Sequence, residues 1–494
     1  MMMMQTKVIR IIASSCALCL AALTYATSPK VAPIQSPHLN LESIYDASSL
    51  NTEVLQNWHL VEGTVATRQK LITIEVGELW PGQVYRIPVR LIVPADQKAA
   101  GFHLTGGHHL KELQKDAYPK GVETELLKGG IGLVYTIIQN PKTYGEGVLA
   151  EAMQTRFIET LDPQYSIQYW AWPTTLMRAI TAADAEIDHF EAGKIAASGS
   201  SKNGASPTIA LLHDPRITAV FGSVSPIYDS PLRLCDREAW DALEAFEKHT
   251  ADASRQKSPK KHRFLGGTFG PVYNEDALQA GHTWSDLKAL AERLADGLFI
   301  SRNLDTLKAR GVDLYFHPGT HDFVAYDLSW GGAHYPQILV YLGVNTGHGK
   351  KKPNPGLEKD EANKSAFLLE HFFDEVEPLL ESPKLTHTLD GNMLRITVQF
   401  PEGSVAESGR LYWMYDRAPD GTTDYLKEPF PADQLKEMYY NATEKSWILN
   451  LELESGHNHI DLFSNHRKTI SYKGKTYATY LSSPYTRISL MRCP

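Results

Sequence analysis

Residues 194–214 read KIAASGSSKNGASPTIALLHD. A short apolar strand, Lys194 to Ala197, runs into Gly199-Ser200-Ser201-Lys202-Asn203-Gly204 and then into a helical segment, Lys202 to His213. A strand that turns at once into a helix is the setting of a nucleophile elbow, which lifts a serine Oγ above the edge of a sheet. The central residue of so tight a turn sits in strained backbone space, and small residues on both sides keep the strand from colliding with the returning helix. Ser201 holds that central place, and the Lys202 N–H, at the start of the helix, can face an oxyanion. As a bare pattern the segment is only moderately specific. Asn203 stands two places after the serine where glycine is usual, and the small residue, Gly204, comes one later. The plain alternative is a Gly and Ser turn in which Ser200 or Ser201 caps a helix.

On either side of this segment short apolar runs alternate with longer amphipathic ones. Gly130 to Ile138, Ile217 to Val224, Val312 to His317 and Ile338 to Val344 read as buried parallel strands, with a helix over Pro173 to Phe190. This rhythm predicts an α/β fold, a doubly wound and mostly parallel sheet of the α/β-hydrolase kind. Ahead of it, after a polar lead, Lys70 to Val76 and Tyr85 to Val93 form a hairpin joined through Leu79-Trp80-Pro81-Gly82. Residues 229–295 are a helical insertion, holding the charged stretch Arg255 to Arg263, that serves as a lid or as a plain surface addition. Lys350 to Pro355 is a linker, and Glu361 to Val376 is one amphipathic helix. Beyond Pro383 the pattern is all β: Met393 to Phe400, Arg410 to Tyr415, Ser446 to Leu453, Asn458 to Phe463 and Tyr477 to Leu481 suggest a C-terminal β-sandwich. The expected division is residues 1–26 as a signal peptide, 27–382 as the α/β part and 383–494 as the β-sandwich.

Lys7 and Arg10 make a positive start, Ile11 to Leu23 an apolar stretch, and Thr24-Tyr25-Ala26 ends in the small residue a signal peptidase needs. Export to the periplasm or the extracellular space follows, and no later stretch reaches the ~18 apolar residues of a transmembrane anchor. Cys16 and Cys19 leave with the leader, so Cys235 and Cys493 remain and allow a single disulfide. With 49 Lys and Arg against 57 Asp and Glu, the chain lacks the basic footprint of a nucleic-acid binder. No HExxH occurs and no CxxC outlasts processing, so the sequence supports neither a metal site nor a cofactor.

A nucleophilic serine needs a base and an orienting acid, which on such a sheet follow the serine in the order acid, histidine, each just past a strand end. Thr320-His321-Asp322 follows the strand at Val312 to His317, and Asn345-Thr346-Gly347-His348 follows Ile338 to Val344. Asp322 and His348 are therefore the acid and the base. His321 and His334 are weaker candidates for the base. Asp229, past the strand that follows the elbow helix, is the alternative acid. The second oxyanion donor belongs to the loop after an early strand, where Gly101 to Thr105 runs into Gly106-Gly107-His108-His109, and the N–H of Gly107 or His108 is expected to supply it. A metal pair, His108 with His109, is the competing reading of that loop.

The run from Trp172 through Arg178 to Ala185, the elbow Gly199 to Gly204, and Asp214-Pro215-Arg216-Ile217 resemble the PhoPQ-activated pathogenicity-related family, with its GASKRG-type elbow and DPR strand start. Thr320 to Phe323 and Asn345 to His348 resemble its acid and histidine segment, and the β-rich tail suits its C-terminal part. The likeness covers most of the mature chain. Asn203 and Ala205 depart from the arginine and the bulky aromatic that the family carries at those places. The elbow is as similar to the GCSRNG motif of glucuronoyl esterases, in which the acid commonly follows the strand after the elbow, and that keeps Asp229 in view. Both resemblances imply an exported serine hydrolase. The expected reaction is cleavage of a carboxylic ester, with a small-molecule, carbohydrate-linked or peptide-linked acyl substrate. The alternatives are a secreted peptidase and a binding or signalling protein on a hydrolase scaffold that meets its partner through the C-terminal β part. Trp170, Trp172 and Trp330 read as packing or as sugar platforms.

Overall fold

The computed structural model describes residues 34–36, 38–138, 149–250, 274–348 and 358–490. The expected leader, the stretch Arg255 to Arg263, the linker Lys350 to Pro355 and Cys493, with its pairing to the buried Cys235, lie outside the described residues. Among the described residues no helix is long and apolar enough to cross a membrane.

One large sheet carries strands β1 (Glu53–Val61), β2 (Thr67–Trp80), β3 (Gln83–Pro94), β4 (Ala99–Thr105), β5 (Gly132–Thr136), β6 (Phe190–Ser200), β7 (Ala219–Ser223) and β8 (Asp313–His317). Their spatial order is β1-β2-β3-β5-β4-β6-β7-β8. β1 to β3 run antiparallel, and β5, β4, β6, β7 and β8 run parallel to one another. This is an α/β-hydrolase sheet. The β2–β3 hairpin closes through Pro81 and Gly82, with Trp80 opposite Gln83 and Gly82 at φ +81, a conformation that glycine adopts without a Cβ penalty.

Alternation along the central strands divides the core in two. Phe102, Leu104, Ile195, Ala197 and Val220 face one side and pack with helix α1 (Trp172–Asp184) and helix α2 (Lys202–His213). Ala196, Ala219, Phe221 and Tyr315 face the other side and meet helix α3 (Asn363–Phe372). Each fully buried Val, Leu, Ile or Phe side chain among them contributes about 1.5–3 kcal/mol. Arg178 crosses the first layer: its guanidinium donates to the carbonyls of Ser43, Asp46 and Glu75, pinning the chain's early turns to the sheet.

The C-terminal part holds β9 (Lys384–Asp390), β10 (Met393–Gln399), β11 (Ser408–Tyr415), β12 (Leu435–Glu437), β13 (Tyr439–Asn441), β14 (Ser446–Glu452), β15 (His459–Tyr472), β16 (Lys475–Ser482) and β17 (Thr486–Ser489). They form two antiparallel sheets, β13-β14-β10-β9 and β12-β11-β15-β16, with β17 on β15. Their apolar cluster is continuous with the α3 side of the large sheet: Phe221 and Phe367 belong to the same core as Leu394 and Leu462. In the insertion, the helix Trp284–Ala295 buries Leu287, Leu290 and Leu294 in a cluster shared with Ile209 of α2.

Three expectations change. The helix expected to reach Phe190 ends at Asp184, because Phe190 pairs with Ala99 and opens β6. Ile338 to Val344 is not a full strand. Its backbone pairs with β8 and the loop beyond through isolated bridges at Val340 and Gly343, while on its other side the Ser482 N–H donates to the Val340 carbonyl and Ser482 Oγ accepts from the Leu342 N–H. β1 was not expected at all; its mostly exposed face carries no apolar alternation that would mark a strand.

Candidate active site

Ser201 follows the last residue of β6 and precedes the first of α2, with φ +61 and ψ −126. An L-residue holds such a conformation only when its surroundings impose it, and the two flanking glycines show how. A Cβ on Gly199 would lie 2.1 Å from the Asn203 carbonyl oxygen, and one on Gly204 would lie 2.7 Å from that of Ser223 and 2.9 Å from that of Gly199. The helix therefore returns across the strand with no room for a methyl group. The Ser201 N–H donates to the Ser223 carbonyl (2.9 Å), which anchors the elbow to β7.

Ser201 Oγ lies 2.7 Å from His348 Nε2. His348 Nδ1 lies 3.0 Å and 3.2 Å from the two oxygens of Asp322. A carboxylate only accepts hydrogen bonds, so the imidazole carries its proton on Nδ1 and leaves Nε2 to accept from the serine hydroxyl. Asp322 is fully buried and also accepts from the Val324 N–H (2.8 Å), while the Phe323 ring lies 4.3 Å from that of His348. Ser201, His348 and Asp322 thus form one connected chain of hydrogen bonds.

Asp229 is elsewhere. Its carboxylate accepts from Ser301 Oγ (2.7 Å) and Arg302 Nε (2.8 Å), within the turn Ile300–Asn303, so it is neutralised there rather than at the imidazole. His321 is turned to the Glu428 carbonyl (2.6 Å), and His334 bonds the Trp330 carbonyl (2.8 Å) and stacks on the Trp330 ring. Neither reaches Ser201.

Gly106 and Gly107 sit where β4 ends. The Gly106 carbonyl accepts from the Ile138 N–H, and the His108 N–H is directed to the Thr136 carbonyl (3.4 Å). The expectation that His108 could donate to an oxyanion is corrected by that bond. In the bridge between Gly107 and Ile137 the flanking residues make the bonds, so the Gly107 N–H points away from Ile137. A Cβ on Gly107 would lie 3.3 Å from Asn203 Nδ2, which puts this loop directly over the first turn of α2, beside the Lys202 N–H. Among the described residues no protein acceptor takes the N–H of Gly107 or Lys202. His108 stacks on Tyr135 and bonds Thr105 Oγ1 (2.8 Å), and burial pushes its pKa down to about 4. Among the described residues no group of three His, Cys, Asp or Glu side chains is arranged to hold a metal ion. Trp170 and Trp172 are buried in the core, and the Lys202 ammonium lies 6.0 Å from the Trp172 ring centre.

Sequence reasoning missed the residues that hold the acid and histidine loops. Arg417 is wholly buried, and its Nη2 donates to the Thr320 carbonyl (2.6 Å). Asn345, at φ +52, exchanges two side-chain hydrogen bonds with the backbone of Phe430. Only the Asn345 position, three residues ahead of His348, carried any local signal, since asparagine is enriched where φ is positive.

No protein-family model matches the chain, and no curated protein matches it. Among solved structures it is similar to an acetyl xylan esterase from a Thermoanaerobacterium species, at 12% identity and a TM-score of 0.33, over 66% of this chain and 93% of that one. It is similar to a glucuronoyl esterase from Teredinibacter turnerae at 13% identity and a TM-score of 0.32, over 59% and 64% of the two chains. A puromycin-hydrolyzing peptidase from Mycobacterium tuberculosis is similar at 13% identity and a TM-score of 0.33, over 64% and 45%.

Proposed function

We propose that the protein is an exported serine hydrolase that cleaves a carboxylic ester through an acyl-enzyme. The observation that carries this reading is the 2.7 Å approach of Ser201 Oγ to His348 Nε2 on a strained elbow, with the buried Asp322 on the far side of the imidazole. Ser201 Oγ attacks the acyl carbon while Nε2 takes its proton. The oxygen that becomes negative is held by the N–H groups of Lys202 and the Gly106-Gly107 loop. The imidazolium, steadied by Asp322, then gives its proton to the departing alcohol, and water repeats the sequence in reverse to release the acid. Donors fixed in advance at the turn and the helix start need no reorganisation as charge develops, and one such donor is worth about 2.7–4 kcal/mol.

Export rests on Lys7, Arg10 and the apolar stretch Ile11 to Leu23. Membership of the PhoPQ-activated pathogenicity-related family rests on the elbow, on Asp214-Pro215-Arg216, and on the Asp322 and His348 segments. The division at residues 382 and 383 into an α/β part and a β part belongs to the same proposal.

The test is exposure of the mature protein to a fluorophosphonate followed by peptide mapping. The expected result is one phosphonyl adduct, on Ser201, with fluoride released, and no adduct in Ser201→Ala or His348→Ala. A folded wild-type protein that takes up no label overturns the reading and leaves a binding role for the scaffold.

A further inference from the structure

Both loops that bear on the imidazole are held by one stretch of the C-terminal part, residues 417–430. On the acid side, Arg417 Nη2 donates to the carbonyl of Thr320, two residues before Asp322, and the neighbouring His321 donates from Nε2 to the Glu428 carbonyl. On the histidine side, Asn345 Nδ2 donates to the Phe430 carbonyl (2.9 Å) and Asn345 Oδ1 accepts from the Phe430 N–H (2.7 Å). The two loops are also tied to each other. The Asn345 N–H donates to Thr320 Oγ1 (2.8 Å) and the His321 N–H to the Thr346 carbonyl (3.0 Å).

Arg417 has a costly position. Its guanidinium is fully buried, its partners are the Tyr485 hydroxyl and the carbonyls of Thr320 and Tyr425, and the Tyr425 ring lies 3.8 Å from its carbon centre. Nε has no hydrogen-bond partner among the described residues. A buried cation must be hydrogen-bonded to be tolerated, and here its bonds go to two carbonyls and to a phenol that itself donates to Asp461. What this one does is fix the backbone at Thr320. Asn345 is similar: its left-handed backbone is tolerated by asparagine, and both polar ends of its side chain are used on a residue 85 positions away.

We infer that residues 417–430 of the C-terminal part are a positioning element of the Ser201 site, acting through Arg417 on the Asp322 loop and through Phe430 and Asn345 on the His348 loop. The inference rests on the serine-hydrolase reading above. None of these residues touches the reacting atoms. Their effect is to hold Nδ1 against the carboxylate and Nε2 against Oγ, and a misplacement of about 1 Å at such a site costs roughly 100-fold in rate.

The experiment uses the full chain and three variants: Asn345→Gly, which keeps the positive φ and removes both side-chain bonds; Asn345→Asp, which keeps the acceptor for the Phe430 N–H; and Arg417→Lys. The readouts are the rate of fluorophosphonate labelling at Ser201, kcat and KM on a p-nitrophenyl ester, and thermal melting. Asn345→Gly is expected to label and turn over at least ~10-fold more slowly with KM within about twofold of wild type, since the imidazole is moved and the pocket is not. Asn345→Asp is expected to recover part of that loss. A residue that serves stability alone would lower the melting temperature and leave the labelling rate of the folded fraction unchanged. Should Arg417→Lys fail to fold, the Asn345 pair still decides. Normal labelling and kcat in folded Asn345→Gly overturn the positioning inference while leaving the hydrolase reading intact. Absence of labelling in the wild type overturns both.

Discussion

The elbow and the acid and histidine loops meet at one site but draw on different spans of the chain. Between residues 194 and 223 the geometry is self-sufficient: Gly199, Gly204 and the Ser223 carbonyl force Ser201 into place, and all lie in β6, α2 or the adjacent β7. The loops at 318–323 and 343–348 also exclude a Cβ, at Gly319 against the Thr346 carbonyl oxygen (2.2 Å) and at Gly343 against Thr346 Oγ1 (2.6 Å), but they take further support from far along the chain. Thr320 is held by Arg417, 97 residues later, and Asn345 by Phe430, 85 residues later. Ser201 is thus secured by steric exclusion within neighbouring elements, and Asp322 and His348 by exclusion between their own two loops together with hydrogen bonds from a distant part of the chain. Exclusion tolerates no added atom; long-range hydrogen bonds tolerate loss of one with a graded penalty.

The largest effect expected from breaking this contrast is chemical. Ser201→Ala and Asp322→Asn should each lower ester turnover by ~10⁴-fold or more, with Ser201→Ala melting within about 1 kcal/mol of wild type, as followed by steady-state kinetics and thermal denaturation. Next in size is the elbow's intolerance. In Gly199→Ala the new methyl group meets the Asn203 carbonyl at 2.1 Å, so denaturant unfolding should show a loss of about 3 kcal/mol or more. A melting curve unchanged by this substitution would mean that the elbow is not locked by exclusion.

A smaller effect sharpens the other side of the comparison. Asp420 accepts from Ser329 Oγ (2.6 Å) and the Trp330 N–H (2.9 Å), joining the C-terminal part to the helix Leu328–His334. Burial pushes its pKa from 3.8 up to about 6. Between those values the unfolded chain releases a proton that the folded chain retains, so this group's contribution falls as pH rises from about 4 to about 6 and stays low above. Asp420→Asn should therefore melt roughly 2–4 °C above wild type at pH 7, and the gap should close toward pH 4. The smallest kinetic effect belongs to Asp229→Asn. With its carboxylate committed to Ser301 and Arg302, turnover of the folded variant should stay within about twofold of wild type, and a loss comparable to that of Asp322→Asn would return it to the role of acid.

The same contrast explains what could be read from the sequence. The elbow, the hairpin turn at Pro81-Gly82, the run of α2 and the places just past β8 were legible because neighbouring residues impose them. The end of α1 was not, since the residues before Phe190 fit a helix and only the pairing with Ala99 makes Phe190 a strand residue. The segment from Ile338 to Val344 looked like a strand because it is apolar and β-branched, yet its backbone partners come from Ser482 as much as from β8. Arg417 lies between a strand and a Pro-rich turn with nothing local to mark it. Its meaning arises only when Thr320 is beside it.

The core shared between the α3 side of the large sheet and the C-terminal sheets has a consequence for when the site comes into being. A polypeptide is made from its N-terminus, and its early segments begin to fold first. The contacts that lock the elbow are all present once β7 is made, whereas those on Thr320 and Asn345 need Arg417 and Phe430, much later in the chain. A chain that stops short of Arg417 lacks those ties, and on the serine-hydrolase reading the C-terminal part acts as the safety catch on its chemistry.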